Sequence, residues 1–172
     1  MDVLQAMLFA GTPPRCGRDG ALSRPATTVR AVQIQAVRPT ESTREVVEQI
    51  NFLIPQLKPS WEPITVASLA QVIDSPTRVY VARYDGAIVG ITLLVPHRHL
   101  HGLRYHVEDV VVDEPLRRQG IASELLSVGM RDAPEEVISF DLRSHGTRQA
   151  AHALYLRLGF TPSDTTVFRR IV

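Results

Sequence analysis

Cysteine is nearly missing from this chain: of 172 residues, Cys16 is the single one. That excludes an internal disulfide framework and any cysteine-built zinc site, and it fits a reducing compartment. No run of eighteen apolar residues occurs, so no membrane-spanning helix is expected. The opening MDVLQAMLFAGTPPR holds only a short apolar stretch, Asp2 stands where a signal peptide carries Lys or Arg, and no small-residue cleavage site clearly follows. The expected location is therefore the cytoplasm. An excess of charge is lacking too: 19 Lys+Arg stand against 18 Asp+Glu, so no overall field draws the chain to nucleic acid or to an anionic membrane.

What is present is an ordinary globular composition, 44% hydrophobic and 22% charged. A chain of 19.1 kDa buries roughly 19,000 Å² on folding by surface scaling. One domain needs no covalent staple at that size. Residues 1–28 carry Gly11, Pro13, Pro14, Gly17, Gly20 and Pro25 without periodicity and read as a disordered tail; Cys16 lies inside it with no histidine nearby to activate it.

From residue 29 the pattern sharpens into one domain, 29–172. AVQIQAV alternates as a strand, and Ser42 and Glu45 are spaced as a capping box before Val46, Val47, Ile50, Leu53 and Ile54, which repeat at helical spacing. Pro55 and Pro59 are expected to stop that helix. Thr65 caps a second, marked by Val66, Leu69, Val72 and Ile73. TRVYVARY and AIVGITLLV, joined by Asp85-Gly86, read as a hairpin. After a loop, PHRHLHG, a strand from about Arg104 ends in Val110-Val111-Val112, apolar on successive residues, so both its faces are covered. Strict alternation would put His106, Glu108 and Val110 on one face of it and Val107, Asp109 and Val111 on the other. A helix follows, with Ile121, Ala122, Leu125, Leu126 and Gly129 on one face; then come the strand VISFDL, a helix through Ala151, Leu154 and Leu158 closed by Gly159, and a last strand over about 166–171. The order βααβββαβαβ is α/β in class, with a mostly antiparallel sheet and one parallel crossover pair.

The segment EDVVVDEPLRRQGIASELL places a buried strand, a tight turn and a helix start in succession. Helix N-termini leave backbone N–H groups unpartnered and carry about half a positive charge, so they collect anions. Gly120 would let phosphates approach the backbone, Ala122 is small enough not to obstruct them, and Arg117 and Arg118 add charge. The plainer alternative is an exposed basic helix start.

At this point the sequence resembles the GNAT superfamily of acyl-CoA-dependent N-acetyltransferases, over about residues 31–171. Arg117, Gly120 and Ala122 meet the family's Arg/Gln-x-x-Gly-x-Gly/Ala pattern, and LYLRLGF, residues 154–160, is similar to its closing helix with a Gly-Phe exit. The resemblance implies a GNAT-like single domain with a mixed central sheet and helices on both faces. It also implies acetyl-CoA as co-substrate and a small-molecule or peptide amine as acceptor; dimers are common in the family. The backbone of Val110, Val111 and Val112 would pair with the pantetheine arm, and the amides of Arg118, Gln119, Gly120, Ile121, Ala122 and Ser123 would cradle the pyrophosphate, with an N–H near Val111 stabilising the oxyanion. Tyr155, one residue after Leu154 and four before Gly159, stands at the general-acid position; read by itself it would be an amphipathic core tyrosine. The base is left open among Glu108, His106 and a water. Many members have Asn where this chain has Arg148. His97, His99, His101 and His106 invite a metal, but no carboxylate or thiol is suitably spaced in that loop, so no metal is expected and the histidines read as a rim beside the acceptor site. The rival from another class is a CoA-binding sensor or interaction module that has lost its base.

Overall fold

A computed structural model of the chain describes residues 32–171, so the expected tail at residues 1–28, Cys16 included, lies outside the described residues. The elements run β1 (Gln33–Ala36), α1 (Arg44–Leu57), α2 (Val66–Asp74), β2 (Arg78–Tyr84), β3 (Ala87–His99), β4 (Gly102–Val112), α3 (Ile121–Arg131), β5 (Val137–Leu142) and α4 (Gln149–Arg157). The strands form one sheet in the order β1-β2-β3-β4-β5, antiparallel throughout except for β4 and β5, which are parallel across α3. This is the expected α/β domain with one parallel crossover pair.

Each local signal has a visible cause. Asp85 and Gly86 both take positive φ, 55° and 84°, the pair of left-handed conformations that a tight hairpin turn between twisted strands demands. Thr65 caps α2 by accepting from the Ser68 amide at 3.1 Å, while Ser68 Oγ accepts from the Thr65 amide at 2.8 Å. α1 buries the five residues its spacing singled out. Together with α2 it covers one sheet face, against Val79, Val81, Ile88, Ile91 and Val111; α3 and Leu154 of α4 cover the other, against Tyr80, Leu94, Tyr105, Val107 and Val112. α3 approaches its face closely because Gly129 has no side chain: a Cβ there would stand 3.0 Å from Leu94 Cδ1.

Four expectations are corrected. Residues 166–171 form no strand and pair with no described strand, although the outer edge of β5 is open; Val167, Phe168 and Ile171 are 55%, 92% and 88% exposed and bury too little to hold them there. The segment PHRHLHG is mostly strand, because the β3–β4 register continues through His97↔Arg104 to His99↔Gly102 and leaves only Leu100 and His101 to turn. Alternation in β4 breaks at a bulge: Ile91 pairs with Val111 but Leu93 with Glu108, so Asp109 and Val110 together oppose Thr92. Asp109 takes φ 52° there, and Val110 joins the face that holds Val107 rather than the face of His106 and Glu108.

The fourth correction concerns α1, which starts one residue later than the expected cap, with Thr43 accepting from the Val46 amide at 3.3 Å, and which runs through Pro55 to Leu57. A proline inside a helix removes one ladder bond and crowds the preceding turn. Pro55 lies on the exposed side of the helix, and the carbonyl it leaves without an N–H donor is that of Asn51, which is only partly buried. Pro55→Ala restores that donor and is expected to raise stability by about 1–2 kcal/mol, or about 3–6 °C in melting temperature, for a chain of this size. Thermal unfolding followed by circular dichroism checks it, and an unchanged or lower midpoint would show that the proline costs the helix nothing.

Candidate functional site

The site is built around a place where the sheet comes apart. Pairing between β4 and β5 runs from Leu103↔Val137 to Val107↔Leu142 and stops, while β4 continues to Val112 bonded to β3. Residues 108–112 therefore present one edge with no strand partner among the described residues. The bulge sits at the start of this edge and is pinned by Thr92, fully buried, whose hydroxyl donates to the Glu108 carbonyl at 3.2 Å. Asp113 donates its amide to the Val89 carbonyl at 2.8 Å. Antiparallel bonding alternates every second residue, so between the bulge and Asp113 the Val111 amide also turns to β3 and the Val112 amide faces the open edge. Of the three valines, then, Val111 is not the free donor. The Val112 carbonyl is occupied as well, accepting from Arg117 Nε at 2.9 Å.

Beyond β4 the chain makes a one-turn 3₁₀ helix, Glu114–Leu116, and then two left-handed residues, Arg118 at φ 68° and Gly120 at φ 86°, before α3 begins. Left-handed backbone is uncommon for a side chain as large as Arg118 and natural for Gly120. Nothing lies within 4 Å of where a Gly120 Cβ would be. The first amide of the turn of α3 to find a partner is that of Glu124, on the Gly120 carbonyl at 3.0 Å; the amides of residues 118–123 donate to no described residue. Six N–H groups thus remain open at the positive end of a helix, next to the free edge of β4.

Arg117 is not among the open groups. Besides Val112, its guanidinium reaches Gln56 Oε1 at 3.1 Å, and Gln56 in turn donates to Asp113 Oδ1 at 2.8 Å and accepts from the Glu114 amide at 3.0 Å. Arg117 and Gln56 fasten the turn to the end of α1. Arg118 makes no hydrogen bond or ion pair with a described residue. Arg148, the departure from the family pattern, donates to the Leu57 carbonyl at 2.9 Å and ties the start of α4 to the same helix end.

His106 and Glu108 lie on the side of β4 opposite Tyr105 and Val107, the side on which Val111 meets α1, whereas Tyr155 packs with the α3-side cluster. His106 Nε2 is 3.3 Å from Glu108 Oε1, and Arg143 approaches both, at 3.4 Å from His106 Nε2 and 3.7 Å from Glu108 Oε1. Burial holds the His106 imidazole below its ordinary value; Glu108 pulls it up, while Arg143 and His97, whose ring centroid is 6.0 Å away, pull it down. Asp109 is pushed up, first by burial and then by Glu108, with Lys58 opposing. Tyr155 is pushed up by burial, which the Arg148 guanidinium partly offsets, and its ring meets Phe160 edge-on at 6.0 Å.

A cleft of about 650 Å³ brings His106 and Tyr155 onto one wall system, with Phe140, Arg143 and residues 160–163 of the chain after α4. Glu108 and the open amides of 118–123 are not part of its lining. A second cavity, about 690 Å³, lies at the other end of the sheet among Pro39, Pro76, Pro96 and Pro134 and holds none of the candidate residues. Among the described residues no three His, Cys, Asp or Glu side chains are grouped to hold a metal ion, and no helix is long and apolar enough to cross a membrane.

Sequence reasoning missed three residues here. Thr92 was the one polar residue inside the apolar run AIVGITLLV, which was a usable signal; Gln56 and Arg143 carried none, since both act through contacts distant in sequence.

Comparison with known proteins bears on the same residues. The model of the acetyltransferase (GNAT) family matches residues 45–160. An aminoalkylphosphonate N-acetyltransferase of Salmonella typhimurium (strain LT2) is 30% identical over 97 residues, 55% of this chain and 63% of that enzyme, so the match spans just under two thirds of the relative's length. Among solved structures, aminoglycoside acetyltransferase meta-AAC0020 from an uncultured soil metagenomic sample, in complex with sisomicin, superposes with a TM-score of 0.71 at 14% identity, over 82% of this chain and 95% of that one. The aminoglycoside N-acetyltransferase AAC(6')-Iy in complex with CoA gives 0.68 at 17% identity, over 82% and 95%. These structural likenesses establish the fold, and the family match covers more than half of the chain. The chain belongs to the GNAT acetyltransferase family.

Proposed function

We propose that the protein transfers an acetyl group from acetyl-CoA directly to a small primary amine. The observation that carries this reading is the unpaired edge of β4 at residues 108–112, ending beside the six open amides of 118–123: a strand-like slot leading into an anion cradle. The pantetheine arm would lie along the slot, bonded as a strand would be to Val110 and the Val112 amide, with the pyrophosphate on the amides from Arg118 to Ser123. The relatives support an amine acceptor, since they are by name N-acetyltransferases of aminoalkylphosphonates and of aminoglycosides. The active domain is taken to span 29–172. The lone cysteine and balanced charge support a cytoplasmic protein with neither nucleic acid nor membrane as partner.

In the reaction the amine nitrogen attacks the thioester carbonyl carbon, a C–N bond forms and the C–S bond breaks. The amine must first be neutral, and its proton passes to His106 or Glu108, directly or through a water. A depressed imidazole suits this step because it is unprotonated at neutral pH. Negative charge on the carbonyl oxygen would be met by a β4 amide at or beside the bulge, Val110 being the candidate in place of Val111, whose amide is turned to β3. Tyr155, kept protonated by its burial, would give its proton to the departing thiolate.

Three measurements test the reading. Gly120→Glu is expected to abolish CoA binding by bulk and charge without unfolding the protein, and a folded variant with unchanged CoA affinity would remove the cradle. Tyr155→Phe is expected to lower kcat at least tenfold, within the range of about 10²- to 10⁴-fold typical of general acids, with little change in acetyl-CoA affinity. Normal single-turnover rates would make Tyr155 a packing residue. If His106 is the base, the acid limb of kcat/KM against pH falls below the ordinary imidazole value of about 6.5. Glu108→Gln then moves it lower still, because the Glu108 charge is what raises it; loss of the limb in that variant assigns the base to Glu108. CoA binding with no turnover of any amine would leave a binding module.

A further inference from the structure

The cleft beside β4 is not electrically neutral along its length. Arg104, His106 and Glu108 alternate on one face of β4, and the parallel register sets Arg104 level with Ser139 and His106 level with Asp141 of β5. Going up the sheet the cleft therefore offers a guanidinium, then a carboxylate beside an imidazole. Arg143, which also lines it, is matched by Glu108 at 3.7 Å, and Asp141 accepts from Ser139 Oγ at 3.3 Å. Arg104 has no hydrogen-bond or ion-pair partner among the described residues, although it lines the cleft. Its planar fork suits a two-pronged contact with an oxyanion.

From this juxtaposition we propose that the acceptor is a short zwitterion, an amine carrying a phosphonate, phosphate or carboxylate, whose oxyanion is held by Arg104 while its amine lies at His106 and Asp141. Alternate residues of a strand are about 6.7 Å apart, so amine and oxyanion are separated by only two or three carbons. A polycationic acceptor is disfavoured by the same arrangement: it would bring several ammonium groups to a wall with two guanidinium groups and a single carboxylate among its lining. An uncharged amine would leave Arg104 unmatched. The assignment of the reacting end rests on the transferase reading above, but the charge preference does not depend on turnover.

The test is calorimetric titration of the protein, with and without CoA, by 2-aminoethylphosphonate and by β-alanine, with ethylamine and the aminoglycoside neamine as comparisons. The zwitterions are expected to bind at least tenfold tighter than ethylamine and tighter than neamine, and whichever of the two binds better identifies the oxyanion. Arg104→Gln should weaken both zwitterions about tenfold, and Arg104→Lys, which keeps the charge but not the fork, should weaken them less. Arg44→Gln, the same charge change on the exposed side of α1, should leave them unaffected. Equal or tighter binding of ethylamine or neamine, or zwitterion affinities indifferent to Arg104→Gln, would overturn the proposal. Acetyl transfer is read separately as thiol release from acetyl-CoA, so a protein that acetylates neamine loses this inference and keeps the transferase reading.

Discussion

One extra residue in β4 governs the geometry on which everything else depends. A strand keeps its side-chain phase as long as its register holds; with Asp109 and Val110 set against Thr92, the phase of β4 inverts in the middle. Below the bulge, Val107 packs toward α3 and Glu108 lies on the opposite side. Above it, Val111 packs under α1 and Val112 under α3. The bulge is also where β5 leaves, after Val107↔Leu142, so the same perturbation that re-aims side chains frees a length of backbone. Thr92 is costly to bury without a partner and has one, the Glu108 carbonyl, which fixes the irregularity in a single place.

The second consequence of this break is the position of α3. Its first turn follows closely on the end of β4, through two left-handed residues, and its first amides are left without a described partner. A network of Gln56, Asp113 and Arg117 holds the turn against α1, and close packing at Gly129 holds the helix against the sheet. Preorganisation of this kind keeps donors aimed without a ligand to order them.

Much of this was legible in the sequence, and the limits have physical causes. The hairpin at Asp85-Gly86, the caps of the first two helices to within one residue, the parallel pair and the glycine at the start of α3 were readable because each is local: a turn, a cap or a face is set by residues within a few positions. The bulge was not readable, since alternation continues through EDVVV with apolar residues available to either face; only the pairing with β3 decides. Pro55 misled because its local penalty is real yet outweighed by the burial of Leu53 and Ile54 on the same helix. The segment at 166–171 has a strand's composition yet lies exposed and unpaired, with the outer edge of β5 left open. The scaffold contacts of Arg117 were not readable, as its partner Gln56 lies 61 residues away.

The wall of the proposed acceptor cleft that follows α4 has an evolutionary consequence. Thr161, Pro162, Ser163, Thr165 and Val167 line it from a segment outside the hydrogen-bonded sheet, whereas the proposed cofactor slot is made of main-chain groups at the centre of the fold. Substitutions in that wall change what the cleft accepts without breaking a ladder bond, and most substitutions around the slot leave its amides where they are. Selectivity and cofactor use can therefore drift independently in such a chain, and a new acceptor can be acquired by recasting a dozen residues at one end while the machinery for the thioester stays as it is.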